Sequence, residues 1–136
     1  MKPVDAISWS AVDSYSSEEY FQRMLILERL RSEKTGKPFV LILLDIAKLT
    51  RGKRAEKAFV LRRLVSVLNS STRGIDVKGW YMLNSIIGIL CQDVQKKHCT
   101  AVTGRIKDKL HEDGIFHLVG NNTDAIKLLC LLYPDS

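Results

Sequence analysis

Arg73–Cys91, RGIDVKGWYMLNSIIGILC, reads as two short strands joined by a tight turn, and the elements on either side of it decide the fold. Tyr81, Met82 and Leu83 end the first run, and Asn84 and Ser85 are turn formers. Ile86 to Leu90 make a second run, rich in β-branched residues and unbroken by a polar one, as in a strand covered on both faces. Just ahead of the hairpin stands Arg73-x-x-Asp76, the pair in the chain with most chemical interest.

Working outward, Pro38–Ile46 is continuous, apolar and closed by an acid, Asp45, which predicts a central strand. Before it, Ser16-Ser17-Glu18-Glu19 is a helix start. Tyr20, Met24, Leu27 and Leu30 give a helical stripe that Phe21 and Leu25 widen, and Gly36-Lys37-Pro38 ends it. Glu28, Arg29, Arg31, Glu33 and Lys34 are expected on its solvated face. Ala47–Lys57 reads as a basic loop entering a second amphipathic helix, from Ala55 to Leu68. Gln92–Asp113 predicts a third helix with Val94, Val102, Ile106 and Leu110 on one stripe. Ile115–Val119 predicts a short strand and Ala125–Tyr133 a last one, although Lys127-Leu128-Leu129 would equally suit a helix. Residues 1–16 are expected to be a partly ordered leader, and 17–136 a single domain.

The order around the hairpin is β-α-β-β-α-β, which predicts an α/β (α+β) sandwich of ferredoxin-like type with an added N-terminal helix. A mostly antiparallel sheet with helices packed on one face is expected. The apolar fraction of 46% is enough for a packed core. A net charge of +6 allows an anionic partner, but the basic residues are spread rather than blocked. Three cysteines, Cys91, Cys99 and Cys130, at no close paired spacing predict neither a disulfide framework nor zinc, and Cys91 and Cys130 read as small core residues. The longest plain apolar run, Phe39–Leu44, is far too short to cross a bilayer, and a reducing cytoplasm is the expected compartment. His98, His111 and His117 are scattered, with the first two expected to be exposed, and no serine or cysteine sits in a nucleophile motif.

Several phrases together resemble the GGDEF domain of diguanylate cyclases. Glu28–Gly36 leads through Lys37-Pro38 to Leu41-Ile42-Leu43-Leu44-Asp45-Ile46, similar to the family's first strand. Arg73-x-x-Asp76 is followed by five residues and then by Met82-Leu83-Asn84-Ser85, standing where the family has GGDE, with Ile86 in place of its phenylalanine. The resemblance runs from about Ser16 to the end. It implies a nucleotide-cyclase type of fold, with Asp45 at the position of the first metal-binding aspartate. Cyclisation of GTP needs divalent metal held by carboxylates from two strands. Here the hairpin carboxylate and the turn glycines are absent, and Ala47 replaces a further acid. The resemblance therefore implies a non-catalytic relative, not an enzyme, with no cofactor and with Asp45 a vestigial metal candidate only.

What the resemblance keeps is the family's inhibitory site, in which Arg-x-x-Asp binds cyclic di-GMP. An arginine fork suits a phosphate or the O6/N7 edge of guanine, and a carboxylate can accept from guanine N–H groups. Arg73 and Asp76 are thus the expected ligand-binding residues, with Arg23, Lys78, Arg31 and Lys34 as helpers that the spacing does not rank. The same two residues could equally be a local ion pair, worth little at a surface. The resemblance also implies bacterial signalling and a link to exopolysaccharide control.

Two other classes compete. A protein-interaction scaffold, with a protein partner or a homodimer docking through Phe21, Met24 and Leu25, needs no nucleotide. An RNA-binding module shares the β-α-β-β-α-β order, and Lys78-Gly79-Trp80-Tyr81 partly matches its aromatic strand, but that phrase falls on the wrong strand of the unit. Nucleic acid is not expected as a partner, nor is membrane insertion.

Overall fold

The computed structural model describes residues 17–49, 54–120 and 123–134. The leader and part of the basic loop expected from the sequence lie outside these residues. The chain runs α1 (Glu18–Thr35), β1 (Phe39–Asp45), α2 (Arg54–Ser71), β2 (Val77–Met82), β3 (Ile86–Gln92), α3 (Lys96–Asp113) and β4 (Lys127–Tyr133), with two 3₁₀ turns before β4. The β-α-β-β-α-β unit is therefore present, closed into one four-stranded antiparallel sheet in the order β2-β3-β1-β4. Pairing β1 to both β3 and β4 makes it central, and every residue from Phe39 to Ile42 is buried, as its unbroken apolar run requires.

Alternation along β1 separates two cores. Val40, Ile42 and Leu44 face α2 and α3, with Leu61, Leu64, Ile106 and Leu110 packed on them. Phe39 and Leu41 face the other way and meet Phe21 and Leu25 of α1. The helices therefore lie on both faces of the sheet, two on one and α1 on the other, instead of all on one face. Trp80 of β2 belongs to the first core, and Tyr81 packs against the second.

The buried stripe of α1 is Phe21, Leu25, Glu28 and Ser32, while Tyr20, Leu27 and Leu30 remain about half exposed. The sequence leaves the choice open because apolar residues surround this helix. What selects the stripe is a groove: a Cβ built on Gly88 of β3 would lie 2.5 Å from the Phe21 ring, so the ring rests directly on the backbone of that glycine. Phe21 and Leu25 are thus spent inside the domain and are not a docking surface. Ser17 caps α1, accepting from the Tyr20 amide at 3.2 Å, and Gly36 closes it in the left-handed region.

Three features differ from expectation. Ile115–Val119 is a 3₁₀ turn rather than a strand, held between Gly114 and Gly120, both at positive φ. Gln92 ends β3, and α3 begins only at Lys96, with Val94 buried in the connection. The sulfurs of Cys99 and Cys130 meet as a disulfide between α3 and β4, their Cα atoms 6.1 Å apart, where the sequence predicts unpaired thiols. The residues are 31 apart, and only the register of β4 brings them together.

If Phe21 anchors α1 through Gly88, Gly88→Ala should lower unfolding stability by about 1–3 kcal/mol in urea titrations. Phe21→Leu in the same chain should recover part of that loss. A Gly88→Ala domain as stable as the parent would mean that the ring is not held there.

Candidate functional sites at the two ends of the sheet

The antiparallel register puts Asp45 opposite Ile86 at one end of the sheet and Phe39 opposite Gln92 at the other. The candidate residues from the sequence divide between these ends.

At the first end, Asp45 is exposed and its carboxylate accepts from the Ala47 amide at 3.1 Å. The hairpin turn lies beside it, since the Ile46 amide donates to Ser85 O at 2.8 Å. Asn84 makes the turn by adopting a φ of 63°, which asparagine tolerates. Met82 and Leu83 project from it, 49% and 56% exposed. The structure thus brings together the two segments that the sequence paired. Those two segments offer one strand-end carboxylate, an amide and a hydroxyl, which by themselves do not fit a magnesium ion, and Asp124 lines the same concavity as Asp45 beside Lys48 and Lys127. Among the described residues no group of three or more His, Cys, Asp or Glu side chains could hold a metal.

At the second end, α2 finishes with Ser71 and Thr72 hydroxyls turned back onto the carbonyls of Val67 and Leu68. The chain then turns at Arg73–Asp76, closed by the Asp76 amide donating to Arg73 O at 3.1 Å. Asp76 is sealed, with 1% of its side chain exposed, and both of its oxygens are used by one residue. Arg73 donates its amide to Oδ2 at 2.9 Å, and its Nε and Nη2 to Oδ1 at 3.1 and 2.8 Å. Nη2 also donates to Gln92 O at 3.2 Å. The guanidinium is held from one side, yet 39% of the Arg73 side chain faces solvent. The pair is therefore buried at its acid and open at its base, unlike the surface ion pair that the sequence also allowed.

Sequence reasoning missed the residues around this pair. Glu28 was expected in solvent and is instead buried. Its Oε1 accepts from Arg31, and its Oε2 from Gln92 Nε2 at 2.6 Å. Gln92 thus touches Arg73 with its carbonyl and Glu28 with its side chain. No local pattern marks Gln92; the one clue to Glu28 is Arg31 three residues on, a helical ion-pair spacing. Cys91, beside Asp76, is buried in the core, and burial first, then the Asp76 charge, pushes its thiol up to about 12. His98 is half-buried, with its Nε2 shielded and unpartnered among protein atoms, rather than exposed. Burial first, and then the Arg73 charge, lower its pKa from the usual imidazole value.

Of the expected helpers, Lys78 lies close and donates to Thr72 Oγ1 at 3.1 Å. Arg31 reaches this end through Glu28 and Asp93. Arg23 instead pairs with Glu19 on the exposed side of α1. Lys34 forms the last turn of α1. Among the described residues no helix is long and apolar enough to cross a membrane.

Because the folded-state pKa of the Cys91 thiol lies above its usual value near 9, the folded chain keeps a proton that the unfolded chain has lost between pH 9 and about 12. The Cys91 contribution to stability is therefore complete below pH 9 and falls away across that window. Cys91→Ala should show a shallower loss of stability over the same range in denaturant titrations, and identical slopes would contradict this placement of the thiol.

Neither a protein-family model nor a curated protein matches the sequence. Solved structures do match its backbone. A DGC protein from Thermotoga maritima is 17% identical, with a TM-score of 0.68 over 89% of this chain and 83% of that one. The diguanylate cyclase SiaD of Pseudomonas aeruginosa, solved with its activator SiaC, is 15% identical, with a TM-score of 0.64 over 90% of this chain but 47% of that one. The GGDEF domain of DgcB from Caulobacter crescentus, solved in complex with c-di-GMP, is 16% identical, with a TM-score of 0.59 over 87% of this chain and 71% of that one. This chain therefore spans about half the length of SiaD and most of the other two. At these identities the likeness concerns architecture, and the chain has the fold of the GGDEF domains of diguanylate cyclases.

Proposed function

We propose that the chain is a non-catalytic signalling domain of GGDEF type that binds cyclic di-GMP through Arg73. The observation that carries this reading is the way Arg73 is presented. Asp76 and the Gln92 carbonyl fix its guanidinium, while 39% of the side chain stays open to a ligand. A fork fixed in advance loses little rotamer freedom when it engages a phosphate or a guanine edge. Lys78 and Arg105 add positive charge in the neighbourhood of Arg73, Asp76, Cys91 and His98, which suits a dianionic ligand.

In this reading Asp76 is chiefly a positioning residue. Its two oxygens are engaged by Arg73, so contact between its carboxylate and guanine requires the pair to open. The lack of turnover is supported by the hairpin, where Met82 and Leu83 stand on the surface and the turn itself carries no carboxylate. A protein partner, as in the SiaD complex, is compatible with this reading and does not depend on it.

Calorimetric titration with cyclic di-GMP, and separately with GTP and magnesium, tests the proposal. Micromolar binding of cyclic di-GMP is expected, weakened about tenfold or more by Arg73→Lys, which keeps the charge and loses the fork. Asp76→Asn should weaken binding as well, and should cost about 1–3 kcal/mol of stability because the guanidinium loses its buried charged partner. No heat with cyclic di-GMP would refute the receptor. Conversion of GTP to cyclic di-GMP would refute the absence of catalysis.

A further inference from the structure

The two edges of the sheet are finished differently. β2 carries Lys78 and Gly79, has a bulge between Trp80 and Met82, and is packed by α1. Charges, bulges and covering helices are how sheet edges are kept from pairing with other chains. β4 is packed on one face by α3, to which Cys130 is bonded, but along Leu128–Leu132 it carries no charge and no bulge. It pairs with β1 on one side in unbroken register, and among the described residues no strand pairs with its other side. Its exposed residues are apolar, with Leu129 54% and Leu131 43% accessible. A concavity of about 420 Å³ follows the strand and is lined from both faces of the sheet, by Leu25 and Arg29 of α1, Leu131 and Leu132 of β4, and Lys96 and Cys99 of α3. An added strand, whose side chains alternate between faces, needs space on both sides of an edge.

The sequence of the edge selects the occupant. Leu128-Leu129-Cys130-Leu131-Leu132 reads the same in both directions. A two-fold axis through Cys130 would set Leu129 opposite the partner's Leu131 and Leu128 opposite the partner's Leu132, so each pair flanking the central Cys130 is leucine on leucine. A two-fold contact requires this self-complementarity. One step further out, Lys127 would face the partner's Tyr133. The Tyr133 hydroxyl donates to Glu33 at 2.7 Å, which places a carboxylate where the lysine of the other copy arrives. The interface would thus be apolar at its centre, with one Lys–Glu pair at each end.

We propose that two copies of this chain associate through β4, forming one continuous eight-stranded antiparallel sheet with its two-fold axis at Cys130. The surface is separate from Arg73, while its Lys127 pairs with Asp45 at the hairpin end, and the inference does not depend on nucleotide binding.

Sedimentation equilibrium of the full chain from micromolar to millimolar concentration, with the Cys99–Cys130 disulfide kept intact, tests the proposal. A reversible monomer–dimer equilibrium is expected. The double variant Leu129→Lys/Leu131→Lys brings like charges together across the axis and should raise the dissociation constant about tenfold or more. Both leucines are exposed in the single chain, so circular dichroism should show the fold retained. In the parent, amide exchange in β4 should slow as concentration rises. A monomer at every concentration would overturn the proposal, as would a dimer that the double variant leaves intact or whose β4 amides exchange at the monomer's rate.

Discussion

Two carboxylates, Glu28 and Asp76, are buried at one end of the sheet, and how they are neutralised organises that end of the molecule. A buried charge left unpaired costs far more than a surface ion pair returns. Asp76 is met by Arg73, Glu28 by Arg31, and Gln92 joins the two by giving its carbonyl to Arg73 and its side-chain amide to Glu28. The last residue of β3 therefore ties the helix on one face to the turn that leads out of the other. The Phe21 ring on Gly88 fixes where α1 lies on the sheet, and the Glu28 contact fixes its rotation.

The opposite end is built from the hairpin turn and the end of β1. Asp45 and the hairpin turn are adjacent, as antiparallel pairing of β1 with β3 demands, yet the turn offers Met82 and Leu83 to solvent. Conversely, at the Arg73 end both buried carboxylates are paired, and Arg73 itself stays partly open to solvent. The difference between the ends, more than the fold itself, directs attention to Arg73.

Much of this was legible in the residues. The continuous apolar run of β1, the turn formers of the hairpin and the stripe of α2 each point to one local structure, and the β-α-β-β-α-β order follows from them. The candidate pair was legible too, as a spacing, but its burial was not: nothing near Asp76 in the chain announces that Arg73 uses both of its oxygens. The misreadings have physical causes. The apolar residues of α1 surround the helix, so periodicity could not choose a face, and a glycine on a distant strand chose it. IFHLV has the composition of a strand, but glycines at positive φ on both sides hold it in a 3₁₀ turn. Glu28, Gln92 and the Cys99–Cys130 pair are set by tertiary register, which single-chain patterns do not carry.

The most direct test of the central claim is the nuclear magnetic resonance signal of the Arg73 Nε–H group during titration with cyclic di-GMP. It should be visible without ligand, since it is held against Asp76, and it should shift saturably as the open side of the guanidinium is engaged. An Arg73 signal that stays fixed while ligand is added in excess would contradict the claim that this arginine, and the buried carboxylate that positions it, form the working site of the domain.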